Sequence, residues 1–258
     1  QFIIDHFTAV DTAAKVDRWY IDGENLTLNN IHFKYQDENS TDTIISGIDF
    51  KNLDLFVRNG SFLEMHVIGD TITGKIEDLN VVEKSGFEVN KLTAITSISH
   101  VHTAINELHL RTTSSEVIGG LNFSYNKYED YSDFINKIQI ESHLDSTKLN
   151  ISDIAYFLPV LNGADQEVII SSDFKGSINS FVLADIDIAY EKFTKISGEI
   201  QVDGLPNIKS TNIHFDDIKL ATHYSDLEKV QVPPYGQDKY IELPNEFKEL
   251  GLITFNGD

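Results

Sequence analysis

Cysteine is absent from this 258-residue chain, which excludes a disulfide framework and any thiolate metal site. That absence suits a bacterial envelope protein without fixing a compartment. Proline occurs only five times, and no stretch rich in Pro or Gly divides the chain. Residues 1–258 therefore read as one continuous β-repeat segment. Its weakest joint is at 230–238, where Pro233, Pro234 and Gly236 forbid a regular strand. Positive charge is scarce, 20 Lys and Arg against 41 Asp and Glu, for a net charge of −21. Such a field repels nucleic-acid phosphates and anionic headgroups, so no nucleic-acid partner is expected. It suits a solvated acidic exterior. No run of about 18 apolar residues occurs, so no helical membrane span is expected. A basic region followed by an apolar signal core is missing from the start. The chain opens on Gln1 and holds one methionine, Met65, which suggests a processed protein or a segment of a longer one. Any signal or anchor would then lie upstream.

What is present is alternation. Leu121, Phe123 and Tyr125 share one face of a strand, because successive side chains on a strand point to opposite sides. Ile170, Ser172, Phe174, Gly176 and Ile178 form another such row. Ile186, Ile188 and Tyr190 follow, then Ile196, Gly198, Ile200 and Val202. Leu53, Leu55 and Val57 follow Ile48 and Phe50 with a change of parity, which predicts a bulge near Asn52. Polar residues fill the positions between, the habit of antiparallel sheets with one dry face. Helical patterning is confined to short pieces: 152–161 with Ser152 as N-cap until Pro159 intervenes, 132–137, and 244–250. The absence of repeated βαβ units argues against a doubly wound sheet.

A degenerate motif recurs, an apolar residue, two polar or small ones, then apolar-x-apolar. It reads Leu28-Asn29-Asn30-Ile31-His32-Phe33, and again at 45–50, 105–110 and 118–123, with a looser copy at 211–215. The spacing is irregular, so no propeller or hexapeptide helix is expected. The pattern fits strand added to strand, about twenty of them, in a sheet about 90–100 Å long. A sheet of that length curls. The fold expected is all-β: a long curled, mainly antiparallel sheet forming a trough, with a few short helices.

Catalytic patterns are sparse, and no enzyme activity or cofactor is expected. His100 and His102 share a strand face, as two metal ligands would, but a third ligand requires Glu107 or His109 to be brought in by the fold. Exposed polar positions are the simpler reading. Asp216 and Asp217 are adjacent and point to opposite faces, so they make no carboxylate dyad. Neither a nucleophile elbow nor a phosphate-binding glycine loop is present. The Gly119-Gly120 pair reads as a bulge or a point of close packing.

Residues 133–161 (DFINKIQIESHLDSTKLNISDIAYFLPVL) and 196–230 (ISGEIQVDGLPNIKSTNIHFDDIKLATHYSDLEKV) carry a likeness to a known family. With SGFEVNKLTA at 85–94, they resemble the TamB-like proteins of the AsmA-like superfamily in their Bacteroidota form. The likeness extends over residues 70–258. It implies a segment of a translocation and assembly module, anchored in the inner membrane through its parent and crossing the periplasm as a curled sheet. It also implies an Omp85-superfamily barrel as partner, through a region outside this fragment. The function implied is outer-membrane biogenesis, by phospholipid transport along an apolar groove or by helping outer-membrane proteins assemble.

Phospholipid acyl chains require an apolar, non-directional surface. Leu121, Phe123, Ile170, Phe174, Ile186, Ile188, Ile200 and Val202 are the candidate lining. The same side chains would equally serve a closed core. The piece at 154–158 is expected to plug the trough with Tyr156, Phe157 and Leu158. An extracellular adhesin or glycan-binding β-domain is the alternative, with Trp19, Tyr20, Tyr128 and Tyr131 stacking on sugars.

Overall fold

A computed structural model describes residues 20–38 and 46–257. Trp19 lies outside the described residues. Twelve strands form one sheet in sequence order, every neighbouring pair antiparallel. They are β1 (Tyr20–Gln36), β2 (Asn52–Ile68), β3 (Thr71–Glu83), β4 (Glu88–Ile98), β5 (His102–Thr112) and β6 (Glu116–Ser124). The second half comprises β7 (Gln139–Asn150), β8 (Glu167–Gly176), β9 (Ser180–Tyr190), β10 (Thr194–Asp203), β11 (Asn212–His223) and β12 (Leu252–Gly257). The first and last strands do not pair, so the sheet is curled but unclosed. Three one-turn helices sit on its connections: α1 (Phe134–Lys137), α2 (Ile151–Ile154) and α3 (Tyr224–Leu227).

The recurring motif has a backbone cause. Its third residue adopts the left-handed conformation in six strands: Asn30 (φ 54°), Glu64 (50°), Glu107 (50°), Ser146 (44°), Asp185 (49°) and Asp217 (49°). Register slips accompany Glu64, Glu107, Ser146, Asp185 and Asp217, where an extra residue enters one strand. Each slip changes the parity of the strand. Thr103 and Ile105 precede Glu107, and Leu108 and Leu110 follow it, yet all four sit across from inner-face residues of β6: Phe123, Leu121, Gly119 and Val117. Without the slip, half of each strand would turn its apolar side to water. A bulge also bends its strand and tightens its twist. Bulges repeated on β2, β5, β7, β9 and β11 therefore crease the sheet, apolar side inward.

The count of about twenty strands is corrected by the same fact. An alternating run that changes parity reads as two strands, whereas the chain continues through a bulge as one. Twelve described strands, several of them long, replace the many short ones expected, and at about 4.8 Å per strand they span roughly 50–55 Å. The motif copy at 105–110 is a true bulge, and that at 28–33 carries the left-handed Asn30 without a register slip against β2. Of the copy at 45–50, Ile45 lies outside the described residues, and Ile48 and Phe50 lie ahead of β2 rather than within a strand. The parity change near Asn52 marks the start of a strand, where the Asn52 amide donates to the Asp49 carbonyl at 3.0 Å. The segments at 183–188 and 215–220 also fit the motif, with Asp185 and Asp217 at its third position.

Because the chain meanders, alternate connections share a rim. Those after odd-numbered strands form one rim, called upper here, and those after even-numbered strands form the lower. Helix α2 is capped by Asn150, whose side chain accepts from the Ser152 amide at 2.8 Å, so the cap lies two residues before the Ser152 expected. Pro159 then opens a separate 3₁₀ turn, Pro159–Leu161. The 230–238 stretch folds back on itself: Val232 N donates to Lys239 O at 3.0 Å and Ile241 N to Val230 O at 2.9 Å.

Gly119 shows how tightly the crease is built. Its φ is 147°, and a Cβ there would collide with the His143 carbonyl oxygen on β7. Gly120 has its nearest such neighbour, the Ile105 carbonyl oxygen, at 3.5 Å. Gly119→Ala is expected to destabilise the protein by more than about 1 kcal/mol in urea unfolding, with Gly120→Ala close to wild type. Equal effects at both positions would refute the crease at Gly119.

Candidate functional site

The eight expected lining residues share the inner face. Phe123 lies across from Ile140 on β7, and Leu121 across from Ser142. Ser142 faces Phe174, Phe174 faces Leu183, and Leu183 faces Ile200, so one row crosses five strands. Ile170 faces Ile188, Ile186 faces Gly198, and Val202 faces Phe181. Their accessibility differs. Ile170 (8% exposed), Ile186 (2%) and Val202 (8%) are covered by neighbouring side chains, while the other five are half-buried. Phe174 stacks on Phe181 with ring centroids 4.7 Å apart.

The openly exposed stretches of the inner face lie elsewhere. On β1, Ile21 (51%), Leu26 (45%), Ile31 (43%) and Phe33 (52%) occupy inner positions opposite Val67, Phe62, Val57 and Leu55. At the other end Ile213 (52%) and Phe215 (51%) continue the rows of Val202 and Ile200, and Phe255 (54%) continues that of Leu220. The sequence patterning that placed candidates in the middle strands applied equally to these residues. What it lacked was any sign of which stretch of the inner face has a covering.

That covering comes from both rims. On the lower rim, residues 125–138 fold inward around Tyr125, Ile138 and Ile140, the buried cluster of the molecule, with Phe123, Tyr128, Tyr131, Phe134 and Phe174 packed against it. Asp130 holds the turn, its carboxylate accepting from the Asn126 amide at 3.0 Å and the Lys127 amide at 3.2 Å. On the upper rim, Phe50 stacks flat on Phe134, centroids 5.4 Å apart and planes 10° apart. Phe134 in turn rests on Phe123 at 6.1 Å. Phe50 also meets Phe157 at 6.4 Å, and Phe157 meets Phe87 at 5.5 Å. The piece expected to plug the trough thus contributes Phe157 to an aromatic bridge over it, with Tyr156 set edge-on to Phe87 at 5.3 Å.

The outer face is polar and laddered. His143 and Asp173 pair across strands at 2.6 Å, Glu141 and Lys175 at 2.9 Å, and Lys148 and Glu167 at 2.8 Å. Asp173 and its hydrogen bond push the exposed His143 above its usual value. Exposed pairs of this kind contribute little to stability, but they settle which side meets water. His100 pairs with Asp70, and His109 with Glu116 at 2.5 Å, so the two histidines considered with His102 and Glu107 go to separate carboxylates. No cluster of three or more potential metal ligands occurs among the described residues. Of the aromatics considered for sugars, Tyr20 is exposed. Tyr128 and Tyr131 pack on Tyr125 at 6.0 and 5.0 Å, and burial pushes the Tyr131 hydroxyl up to about 12. A polar cavity of about 750 Å³ opens at the upper rim between the 46–49 segment, the β3–β4 turn and residues 152–165.

Two buried carboxylates fasten the upper rim in the same way. Asp153 on α2 accepts from the Thr112 hydroxyl at 2.5 Å, reaching the β5–β6 turn. Asp226 on α3 reaches the β9–β10 turn, accepting from the Phe193 amide at 2.6 Å, the Thr194 amide at 2.8 Å and the Thr194 hydroxyl at 3.1 Å. In sequence both read Ser-Asp followed by an apolar residue after a long strand. That repeat was legible but unread.

Compared with known proteins, the chain matches no family model, no curated protein and no solved structure.

Burial alone would raise the Asp226 carboxyl, but the hydrogen bonds it accepts from Phe193, Thr194 and Ser225 outweigh that and hold it below its ordinary 3.8. A carboxylate depressed in the fold contributes stability above its unfolded pKa, and the contribution disappears as pH falls through the folded one. Asp226→Ala is therefore expected to lose about 2 kcal/mol at neutral pH, with the deficit shrinking below about pH 4. Thermal unfolding across pH checks this. A deficit that persists unchanged into acid would show that the charge is immaterial.

Proposed function

We propose that this chain is a segment of a periplasmic bridge in outer-membrane biogenesis, its trough offering an apolar path to phospholipid acyl chains. The parent would be anchored in the inner membrane and would meet an Omp85-superfamily barrel through a region outside this segment. One observation carries the reading: the sheet stays open at both edges, and its inner apolar rows are uncovered there. Leu26, Ile31 and Phe33 at one end, and Ile213, Phe215 and Phe255 at the other, are each at least 43% exposed. A sheet that existed only to fold would gain by covering these rows, since apolar burial is worth roughly 25 cal/mol per Å². A contiguous exposed apolar surface marks an interaction site.

An acyl chain fits that surface. It needs no hydrogen-bond partner, and each methylene it buries is worth about 0.8 kcal/mol. The unclosed side leaves a headgroup in water. The acidic exterior disfavours anionic headgroups at the outer face, so a zwitterionic lipid such as phosphatidylethanolamine is the natural cargo. The glycan-binding alternative draws less support, because Tyr128 and Tyr131 are engaged in the lower-rim cluster.

Phosphatidylethanolamine vesicles mixed with the protein are expected to leave lipid bound in native mass spectrometry. A photoreactive residue at Phe33 or Phe215 should crosslink to lipid, whereas one at Asp173 on the outer face should not. Equal labelling inside and out would sink the reading.

A further inference from the structure

Resting on the conduit reading above, we infer that the aromatic bridge between the rims is a gate, which acyl chains pass only when Phe50 withdraws from Phe134. The bridge lies between the two uncovered stretches, over the strands where inner-face residues are buried. It has two jaws from opposite rims. Residues 46–51 form the upper jaw, and the turn ending in α1 forms the lower. The contact that joins them is ring on ring, Phe50 on Phe134. Such contacts are non-directional and weaken smoothly as the rings slide.

The upper jaw is held to the 151–166 segment by hydrogen bonds and borders a cavity. Its ties to the 151–166 segment include Ile48 N to Tyr156 O at 2.8 Å and Asn162 Nδ2 to Ser46 Oγ at 2.7 Å. Gly47, between those ties, has a φ of 84°, which glycine adopts without penalty, and it lies so close to Tyr156 that a Cβ there would collide with the Tyr156 carbonyl oxygen. Behind the jaw lies the polar cavity of about 750 Å³, lined by Ser46, Gly47 and Asp49 on one side and Ser85, Gly86 and Asn162 on the other. That space is the volume into which the jaw would withdraw. The lower jaw is different, because Phe134 sits on the buried Tyr125–Ile138–Ile140 cluster. Opening is therefore a movement of 46–51 against a fixed lower jaw.

Two variants test the gate with the same lipid vesicles. Phe50→Ala removes the contacts to Phe134 and Phe157. Two lost aromatic contacts shift a closed-to-open balance by roughly tenfold. The second, Ser46→Cys with Asn162→Cys, uses the absence of native cysteine to fasten the jaw by oxidation and free it by reduction. A photoreactive group at Phe123 reports lipid beneath the bridge, and groups at Phe33 and Phe215 report the open stretches. Phe50→Ala should raise lipid crosslinking at Phe123 roughly tenfold, and oxidation of the cysteine pair should reduce it to background. Neither change should alter labelling at Phe33 or Phe215. Labelling at Phe123 that ignores both changes overturns the gate and leaves the conduit standing. Failure to label Phe33 and Phe215 removes the conduit, and the gate with it. Should Phe50→Ala fail to give the β-sheet circular dichroism of the parent, the oxidised and reduced cysteine pair decides alone.

Discussion

The whole molecule depends on where its strands change step. A strand of regular geometry buries every second side chain and stays nearly straight. Here single residues in the left-handed conformation shift the alternation mid-strand, at Asn30, Glu64, Glu107, Ser146, Asp185 and Asp217. The shift keeps both halves of each strand dry on the same side, and the accompanying bend creases the sheet. A non-glycine residue in that conformation costs about 1–2 kcal/mol. The cost is tolerable because the alternative exposes an entire half-strand of apolar side chains. Asn and Asp supply three of the six positions, the residue types that adopt the conformation most readily after glycine.

Creasing creates a shape with rims, and the rims then carry the variation. A meandering antiparallel sheet is locally repetitive and needs only short turns. Among the described residues, this one places longer excursions at 125–138, 151–166 and 224–251, with 46–51 leading into β2. Two of these open with buried carboxylates that tie each excursion to a neighbouring turn, Asp153 to Thr112 and Asp226 to Thr194. Burying a charge is unfavourable unless hydrogen bonds replace its water, and Asp226 has four such bonds. The excursions at 46–51 and 125–138 do something else: they reach across the trough and touch through Phe50 and Phe134. The inner face is thus continuous as a chemical surface but interrupted as a space.

Charge follows the same division. Ion pairs such as Glu141–Lys175 and His143–Asp173 lie on the outer face, while the inner rows are largely apolar, with Thr103 and Ser142 among them. Such separation is what a conduit for lipid tails would use: a wet exterior, a dry interior, and an unclosed side for the headgroup. The uncovered rows at β1 and at β11–β12 give the proposal its physical footing, and the aromatic bridge gives it a point of control.

Sequence alone determined the class of the fold. Alternation, scarce helical periodicity and turn residues between runs mean antiparallel sheet because period-2 patterning is a local property of the backbone. The common face of Leu121, Phe123, Phe174 and Ile200 followed from the same arithmetic. The motif at 28–33 and 105–110 was legible as well, though its meaning was not, since a parity change looks alike whether a strand bends or ends. Only the tertiary structure decided which inner residues are covered. Ile186 and Phe215 carry the same signature along the chain, yet one is 2% exposed and the other 51%. The difference lies in what folds over them from the rims and in how many strands stand beside them, and those contacts join residues as far apart as Phe50 and Phe134. No local pattern encodes a contact across that distance.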